Sequence, residues 1–139
     1  MEGTSEKLAF EKMAGLIPAV IQDNGNREVL MVGFVNPESL AATQKTGEVH
    51  FFSRSRNKLW KKGESSGHVL RVREIRVDCD ADALLIRVDA VGPGVCHEGY
   101  RSCFFRALDG QGKLSVVDEK AFESESVYGK PGNGKKSQS

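Results

Sequence analysis

The sequence lacks long apolar runs and has no excess of charge of either sign. No segment approaches the ~18 apolar residues of a membrane span, and the first residues lack the apolar core of a signal peptide. The chain has 20 Lys and Arg residues and 19 Asp and Glu residues, so its net charge is +1. This balance excludes the broad basic surface of a nucleic-acid-binding protein. We expect a cytoplasmic protein that binds neither membranes nor nucleic acid.

Cysteine is scarce, with 3 residues in a chain of 139, at Cys79, Cys96 and Cys103. An odd number without a secretion signal argues against a disulfide framework and leaves metal ligation, a nucleophile or buried inert thiols. No C-x-x-C pair is present, which disfavours a zinc ribbon and a redox-active thiol protein. Three ligands with an open fourth position are typical of catalytic zinc, whose bound water ionises near neutral pH. His97, directly after Cys96, is a candidate for closing the site or moving a proton.

Carboxylates at Asp78, Asp80 and Asp82 alternate with other residues around Cys79. In an extended segment the three aspartates would share one face and Cys79 would point to the other. Neighbouring carboxylates repel one another unless a cation neutralises them, and Mg²⁺ prefers oxygen ligands of this kind. A calcium-binding EF-hand loop is excluded because its sixth position, a required glycine, is Ala83. The pattern predicts a site for a hard divalent ion, with a solvated acidic strand edge as the alternative.

A basic stretch between residues 53 and 68 combines arginines, lysines, hydroxyl groups and glycines with the only tryptophan of the chain. Arginine matches phosphate oxygens, hydroxyl and glycine N–H groups complete such a cradle, and an indole stacks on a base. The small net charge favours a small phosphorylated ligand over single-stranded nucleic acid, with a solvated basic loop as the alternative. The candidate substrate-binding residues are Ser53, Arg54, Ser55, Arg56, Trp60, Lys62, Gly63 and Glu64. His68, at the end of the stretch, is a second candidate for proton transfer.

Apolar patterning predicts a small, β-rich α+β domain over residues 9–123 with one or two short helices. The turn chemistry of residues 23–26 predicts that the first two strands form a hairpin. Extended structure is also expected over residues 73–82, which alternate. The other expected strands cover residues 16–21, 29–35, 49–53, 69–72 and 83–91, with a further strand at Phe104 and Phe105.

Asn36 and Pro37 predict the start of a helix, with Asn36 as the N-cap and Pro37 as the first helical residue. The helix should run to about Lys45 and stop near Gly47, because glycine adopts the left-handed conformation that ends many helices. Residues 1–8 and 124–139 are polar and have little to bury, so both ends are expected to be flexible.

In this order, the motifs resemble those of the phosphoribosyl-AMP cyclohydrolase family, enzymes of histidine biosynthesis that open the adenine ring of phosphoribosyl-AMP. The resemblance covers about Leu16 to Arg106. It rests on Ser53-Arg54-Ser55-Arg56, Leu59-Trp60-Lys61-Lys62-Gly63-Glu64, Gly67-His68, the segment from Asp78 to Leu85, Cys96-His97 and Ser102-Cys103-Phe104. Several such motifs together are highly specific.

The resemblance implies hydrolysis of the N1–C6 bond of 1-(5-phosphoribosyl)-AMP to the formimino-AICAR ribonucleotide, the third step of histidine biosynthesis. It implies an intertwined homodimer that acts on this nucleotide with one Zn²⁺ and one Mg²⁺ per subunit. The implied ligands are Cys96, Cys103 and Cys79 of the partner subunit for Zn²⁺, and Asp78, Asp80 and Asp82 for Mg²⁺. His97 is the first choice for moving the proton, and His68 the second. The alternative function is a zinc-stabilised nucleotide-binding module without catalysis, in which a fourth protein ligand closes the site.

Overall fold

The structure is a computed structural model that describes residues 8–123. Within this range the chain forms eight strands and one helix, and the predicted β-rich α+β class is confirmed. In chain order the elements are β1 (Ile17–Asp23), β2 (Val29–Val35), α1 (Pro37–Thr46), β3 (His50–Ser53), β4 (Lys58–Lys61), β5 (Leu70–Val77), β6 (Leu84–Ala90), β7 (Arg106–Leu108) and β8 (Leu114–Val116). The predicted flexible ends, residues 1–8 and 124–139, lie outside the described residues except for Leu8, which packs against the core.

The central sheet has the strand order β2-β1-β6-β5. Strands β1 and β2 form the predicted antiparallel hairpin, in which Ile17 faces Val35. Asp23 stabilises its turn, because Oδ1 accepts the N–H of Gly25 at 2.7 Å. Strand β6 runs parallel to β1 and antiparallel to β5. The pairs β3-β4 and β7-β8 form two further sheets of two strands each.

The core lies on one face of the central sheet, because alternate residues of β1 and β6 are buried. Leu40 of the helix and Val49 and Phe51 at β3 complete it. Gly33 in β2 is required at this junction, since a Cβ there would collide with the ring of Phe51. This close approach joins the β3-β4 pair to the central sheet and forms one wall of the cleft described below.

The predicted helix is confirmed, including both of its ends. Asn36 Oδ1 accepts the N–H of Ser39 at 2.8 Å, and Ser39 Oγ accepts the N–H of Asn36 at 2.9 Å, which forms a capping box. Gly47 ends the helix with a φ of 77°. Among the described residues, no helix has the length and apolarity needed to cross a bilayer.

Two predicted segments differ from the structure, besides the acidic segment described below. Residues 58–61, predicted as part of a loop, form strand β4, because Leu59 and Trp60 pair with Phe52 and Phe51 of β3. Phe104 and Phe105 precede strand β7 instead of forming a strand. The two residues before them are bound to the start of β2, because Ser102 Oγ donates to Val29 O at 2.8 Å and the Cys103 N–H donates to Leu30 O at 2.7 Å. The hairpin of β7 and β8 has no counterpart in the prediction.

Candidate active site

Cys96 and Cys103 lie together where the β1-β2 turn ends the central sheet. Cys103 donates its N–H to Leu30 O of β2 at 2.7 Å, and Cys96 donates its N–H to Tyr100 O at 3.1 Å within a tight loop. A hydrogen bond from the Cys103 thiol lowers the pKa of Cys96 to about 6, supported by the Glu98 N–H at 3.4 Å from its Sγ. The same shared proton raises the pKa of Cys103. A thiolate beside a thiol is a donor pair suited to a soft metal ion.

Lys62, expected to bind phosphate, lies beside this thiol pair. Its Nζ donates to Val95 O at 2.7 Å. Burial lowers the pKa of Lys62, and the nearby Cys103 and Cys96 act in the opposite direction. The position follows from strand β4, because Lys62 directly succeeds it and its N–H binds Val49 O at 3.0 Å. The structure therefore groups Lys62 with the thiols and not with the arginines of the basic stretch.

Both candidate histidines lie at the thiol end of the molecule. His97 has a side chain that is 41 % exposed, yet its Nε2 is buried and has no hydrogen-bond partner among residues 8–123. His68 has its Nδ1 at 3.0 Å from Gly94 O. Because a carbonyl only accepts, Nδ1 carries the proton and Nε2 of a neutral His68 is an acceptor. The ring of Phe122 meets that of His68 edge to face, with centroids 5.2 Å apart, which fixes the imidazole.

Asp78, Asp80 and Asp82 lie in the turn between β5 and β6, each with a carboxylate oxygen within 4.8 Å of the others. The expectation of an extended segment is wrong, because Ala81 has a φ of 64° and Asp78 Oδ1 accepts the Asp82 N–H at 3.0 Å. A hydrogen bond with Asp82 raises the pKa of Asp80, whereas Lys12, at 3.1 Å, lowers the pKa of Asp82. The Lys12 ammonium group thus offsets part of a repulsion that a divalent cation would relieve fully.

The acidic turn and the thiol pair lie at opposite ends of the central sheet. The turn precedes Leu84, which pairs with Ala19 near the start of β1, while Cys103 binds β2 beside the end of β1. Cys79, inside the acidic turn, is exposed. It does not meet the other two thiols in one chain, since the aspartates are the only trio of metal-binding side chains that the described residues bring within 4.8 Å.

The basic stretch borders a cleft of about 820 Å³ between the edge of β2 and the β3-β4 pair. The cleft is lined by five of the predicted residues, namely Ser53, Arg54, Ser55, Arg56 and Trp60, and by Phe34 of β2. The Arg54 guanidinium lies 4.5 Å from the centre of the Phe34 ring. Gly63 and Glu64 do not line this cleft. They form the turn after β4, where Glu64 Oε1 accepts the Lys61 N–H at 3.3 Å.

One residue at the site escaped the sequence analysis. Arg101 lies between Cys96 and Cys103 in the chain and forms ion pairs with Asp23 and Glu28 at the β1-β2 turn. Arg101 is separated in the sequence from Asp23 by 78 positions and from Glu28 by 73 positions, so no local pattern predicts these ion pairs. The one feature of the sequence that could have indicated Arg101 is its position between the candidate zinc ligands Cys96 and Cys103.

Comparisons with known proteins agree on one family. Residues 31–105 match the family model for phosphoribosyl-AMP cyclohydrolase, a segment that includes the thiols, the acidic turn and the cleft. The chain is 57 % identical over 122 residues to the phosphoribosyl-AMP cyclohydrolase of Solibacter usitatus, covering 88 % of this chain and 96 % of the relative. It is 58 % identical over 120 residues to that of Methanosarcina barkeri, covering 86 % and 89 %. For Nitratidesulfovibrio vulgaris the values are 48 % over 119 residues, 86 % and 94 %.

Proposed function

This chain belongs to the phosphoribosyl-AMP cyclohydrolase family, and we propose that it hydrolyses the N1–C6 bond of the adenine ring in 1-(5-phosphoribosyl)-AMP. Substitution at N1 makes the ring electron-poor, so that C6 is open to attack by water. The oxygen of water joins C6, which becomes a carboxamide, and the proton goes to N1 as the N1–C6 bond breaks. The product is the formimino-AICAR ribonucleotide of histidine biosynthesis.

The thiol pair carries this proposal, because it fits a zinc ion. The hydrogen bond between the two thiols lowers the pKa of Cys96 to about 6 and raises that of Cys103, so the pair offers a soft metal ion a sulfur donor that ionises readily. Cys79 of the partner subunit would be the third ligand. Zn²⁺ bound there would supply a nucleophile at neutral pH. Lys62, next to both thiols, would offset part of their negative charge.

The proton is moved by the chain's own imidazoles. His97 is the first candidate, since it follows a ligand and its buried Nε2 has no hydrogen-bond partner within residues 8–123. His68 is the second, because its bond to Gly94 O leaves Nε2 free to accept a proton. Either imidazole would pass that proton to N1, the nitrogen that leaves C6.

The acidic turn fits Mg²⁺, because its three carboxylates crowd together and are only partly neutralised. Asp78, Asp80 and Asp82 would hold the ion against phosphate or ribose oxygens of the substrate. In the cleft, Arg54 and Arg56 would bind phosphate, with Ser53 and Ser55 beside them and Trp60 near the base. A cleft of about 820 Å³ is within the usual range for a small-molecule site.

The position of Cys79 supports a homodimer. This residue lies between Asp78 and Asp80, so the partner's turn would bring Mg²⁺ ligands to the thiol pair together with the third zinc ligand. A second observation supports association between copies. The β7-β8 hairpin exposes apolar side chains that a monomer leaves in water, at Leu108 (67 %), Leu114 (52 %) and Val116 (56 %).

The test follows ring opening by ultraviolet absorbance, with and without a strong zinc chelator. The proposal predicts loss of turnover on chelation and recovery on adding Zn²⁺. It also predicts that Cys103→Ser loses both zinc binding and turnover. Serine is similar in size to cysteine, so this variant removes the thiol and leaves the packing almost unchanged. A rate that survives complete removal of zinc contradicts the mechanism. No observation favours the alternative of a nucleotide-binding module without catalysis, since the matched relatives are enzymes.

A further inference from the structure

We propose that Arg101 is a positioning residue, whose guanidinium fixes the Cys96–Cys103 pair in the geometry that binds zinc. The inference rests on the zinc site of the proposed function and adds the group that holds its ligands in place. The Arg101 side chain donates hydrogen bonds to Glu28 and Asp23 and to neither thiol. Its effect on the thiols must therefore pass through the loop that it anchors.

The side chain of Arg101 forms ion pairs with residues on both sides of the β1-β2 turn. Its Nη2 lies 2.6 Å from Asp23 Oδ2, and its Nε lies 2.5 Å from Glu28 Oε1. The Asp23 carboxylate is oriented by the turn, because its other oxygen accepts the N–H groups of Gly25 and Asn26 at 2.7 and 3.1 Å. A planar guanidinium held by two carboxylates has a defined orientation, which a single flexible ammonium would not have.

The main chain of Arg101 transmits this orientation to both thiols. Its carbonyl accepts the N–H of Val95 at 3.1 Å, next to Cys96. On its other side, Ser102 Oγ donates to Val29 O at 2.8 Å, and the Cys103 N–H donates to Leu30 O at 2.7 Å. Arg101 thus joins the two halves of the loop to each other and to the sheet.

Other contacts also hold the loop, since Val95 is buried in the core and its carbonyl accepts Lys62 Nζ at 2.7 Å, but Arg101 supplies the ion pairs that tie the loop to the β1-β2 turn. Gly94 and Gly99 are tightly enclosed, as a Cβ on Gly94 would lie 2.7 Å from the Arg101 Cα. Both lack side chains that could pack, and Glu98 is exposed. Metal–ligand distances at a well-formed site lie within about 0.2 Å of their usual values, so a loop that holds its ligands less firmly should bind the ion less tightly. Loss of a group that orients ligands typically weakens metal binding by about 10–100-fold.

The test compares Arg101→Met with a matched control, Arg87→Met. Arg87 also binds through Nε, to the amide oxygen of Gln22 at 2.9 Å, and through Nη1, to Glu74 Oε1 at 3.3 Å. It lies on the central sheet, and its side chain donates to no residue of the thiol loop. Two quantities are measured for each variant. One is the Co²⁺ affinity of the full-length protein, with its thiolate-to-cobalt absorption band. The other is hydrogen exchange of the Cys103 N–H in the metal-free protein.

Arg101→Met should weaken Co²⁺ binding by about 10–100-fold, change the absorption band and speed exchange at Cys103. Arg87→Met should change none of these, and Arg101→Lys should recover only part of the affinity. Unchanged affinity in Arg101→Met, or an equal loss in Arg87→Met, overturns the inference, as does faster exchange without a change in affinity. Parent protein that binds no Co²⁺ overturns the inference together with the zinc site. Parent protein that binds Co²⁺ through its thiols but opens no substrate refutes the proposed reaction alone.

Discussion

Asp23 shows at the scale of one residue how a carboxylate supports the site without touching it. Burial alone would raise the pKa of Asp23, but the N–H groups of Asn26 and Gly25 and the charge of Arg101 outweigh it and hold the pKa below 3.8. Because the folded-state pKa is depressed, the stabilisation is fully present above the unfolded-state value. It is lost as the pH falls through the folded-state value.

We therefore expect Asp23→Asn to lower the free energy of unfolding by about 1 kcal/mol near pH 7, because the amide keeps the turn acceptor but loses the charge that binds Arg101. The difference from the parent protein should shrink below pH 3.8. Urea unfolding across that range measures it. Asp89→Asn is the control, since its pair with Arg73 is exposed and should contribute little. A difference that stays constant with pH would contradict this reading.

Single motif residues were predictable because their chemistry is local. Cys96, Cys103 and the three aspartates stand out in the sequence by type and spacing, and the structure brings the aspartates together and the two cysteines together. Lys62 was not predictable in the same way. Its environment depends on where β4 ends and on the Val95 carbonyl, which lies 33 residues further along the chain.

At the scale of elements, the acidic turn is the segment where the sequence misled most. Alternation along Asp78, Asp80 and Asp82 is compatible with a strand, but Ala81 adopts the left-handed conformation with a φ of 64°. The carboxylates of the three aspartates are still close together, within 4.8 Å, because the tight turn places them on one side of the chain. The hairpin of β1 and β2 and the capped helix were predictable, since turn and cap residues act over a few positions.

The left-handed conformation of Ala81 leads to a prediction for this element. Left-handed geometry costs a non-glycine residue roughly 1–2 kcal/mol, so Ala81→Gly should stabilise the metal-free protein by up to about 1 kcal/mol after the entropy of glycine in the unfolded chain is counted. Thermal unfolding measures the change. The control is Ala83→Gly, two positions on and outside the left-handed region, which should destabilise. Lower stability in Ala81→Gly would show that this turn is not formed in solution.

At the scale of the whole molecule, the pairing of distant segments decides the site. Strand β6 runs parallel to β1, so the acidic turn before β6 and the β1-β2 turn are separated by the length of the sheet. No spacing in the sequence reveals this separation, nor that Arg101 meets Asp23 across 78 positions. Cys79 and Cys103 therefore lie at opposite ends of the central sheet in one subunit, and a zinc site that uses both needs two subunits.

The most direct test of this central claim mixes two inactive variants, Cys79→Ser and Cys103→Ser, by co-expression. In a hybrid dimer one site combines both substitutions, while the other has Cys96 and Cys103 from one subunit and an intact Cys79 from the other. Random pairing makes half of the dimers hybrid, each with one complete site, so turnover should return to about a quarter of the parent value. Zinc content should recover in the same proportion. Hybrid dimers that form but show no turnover would contradict a site shared between subunits.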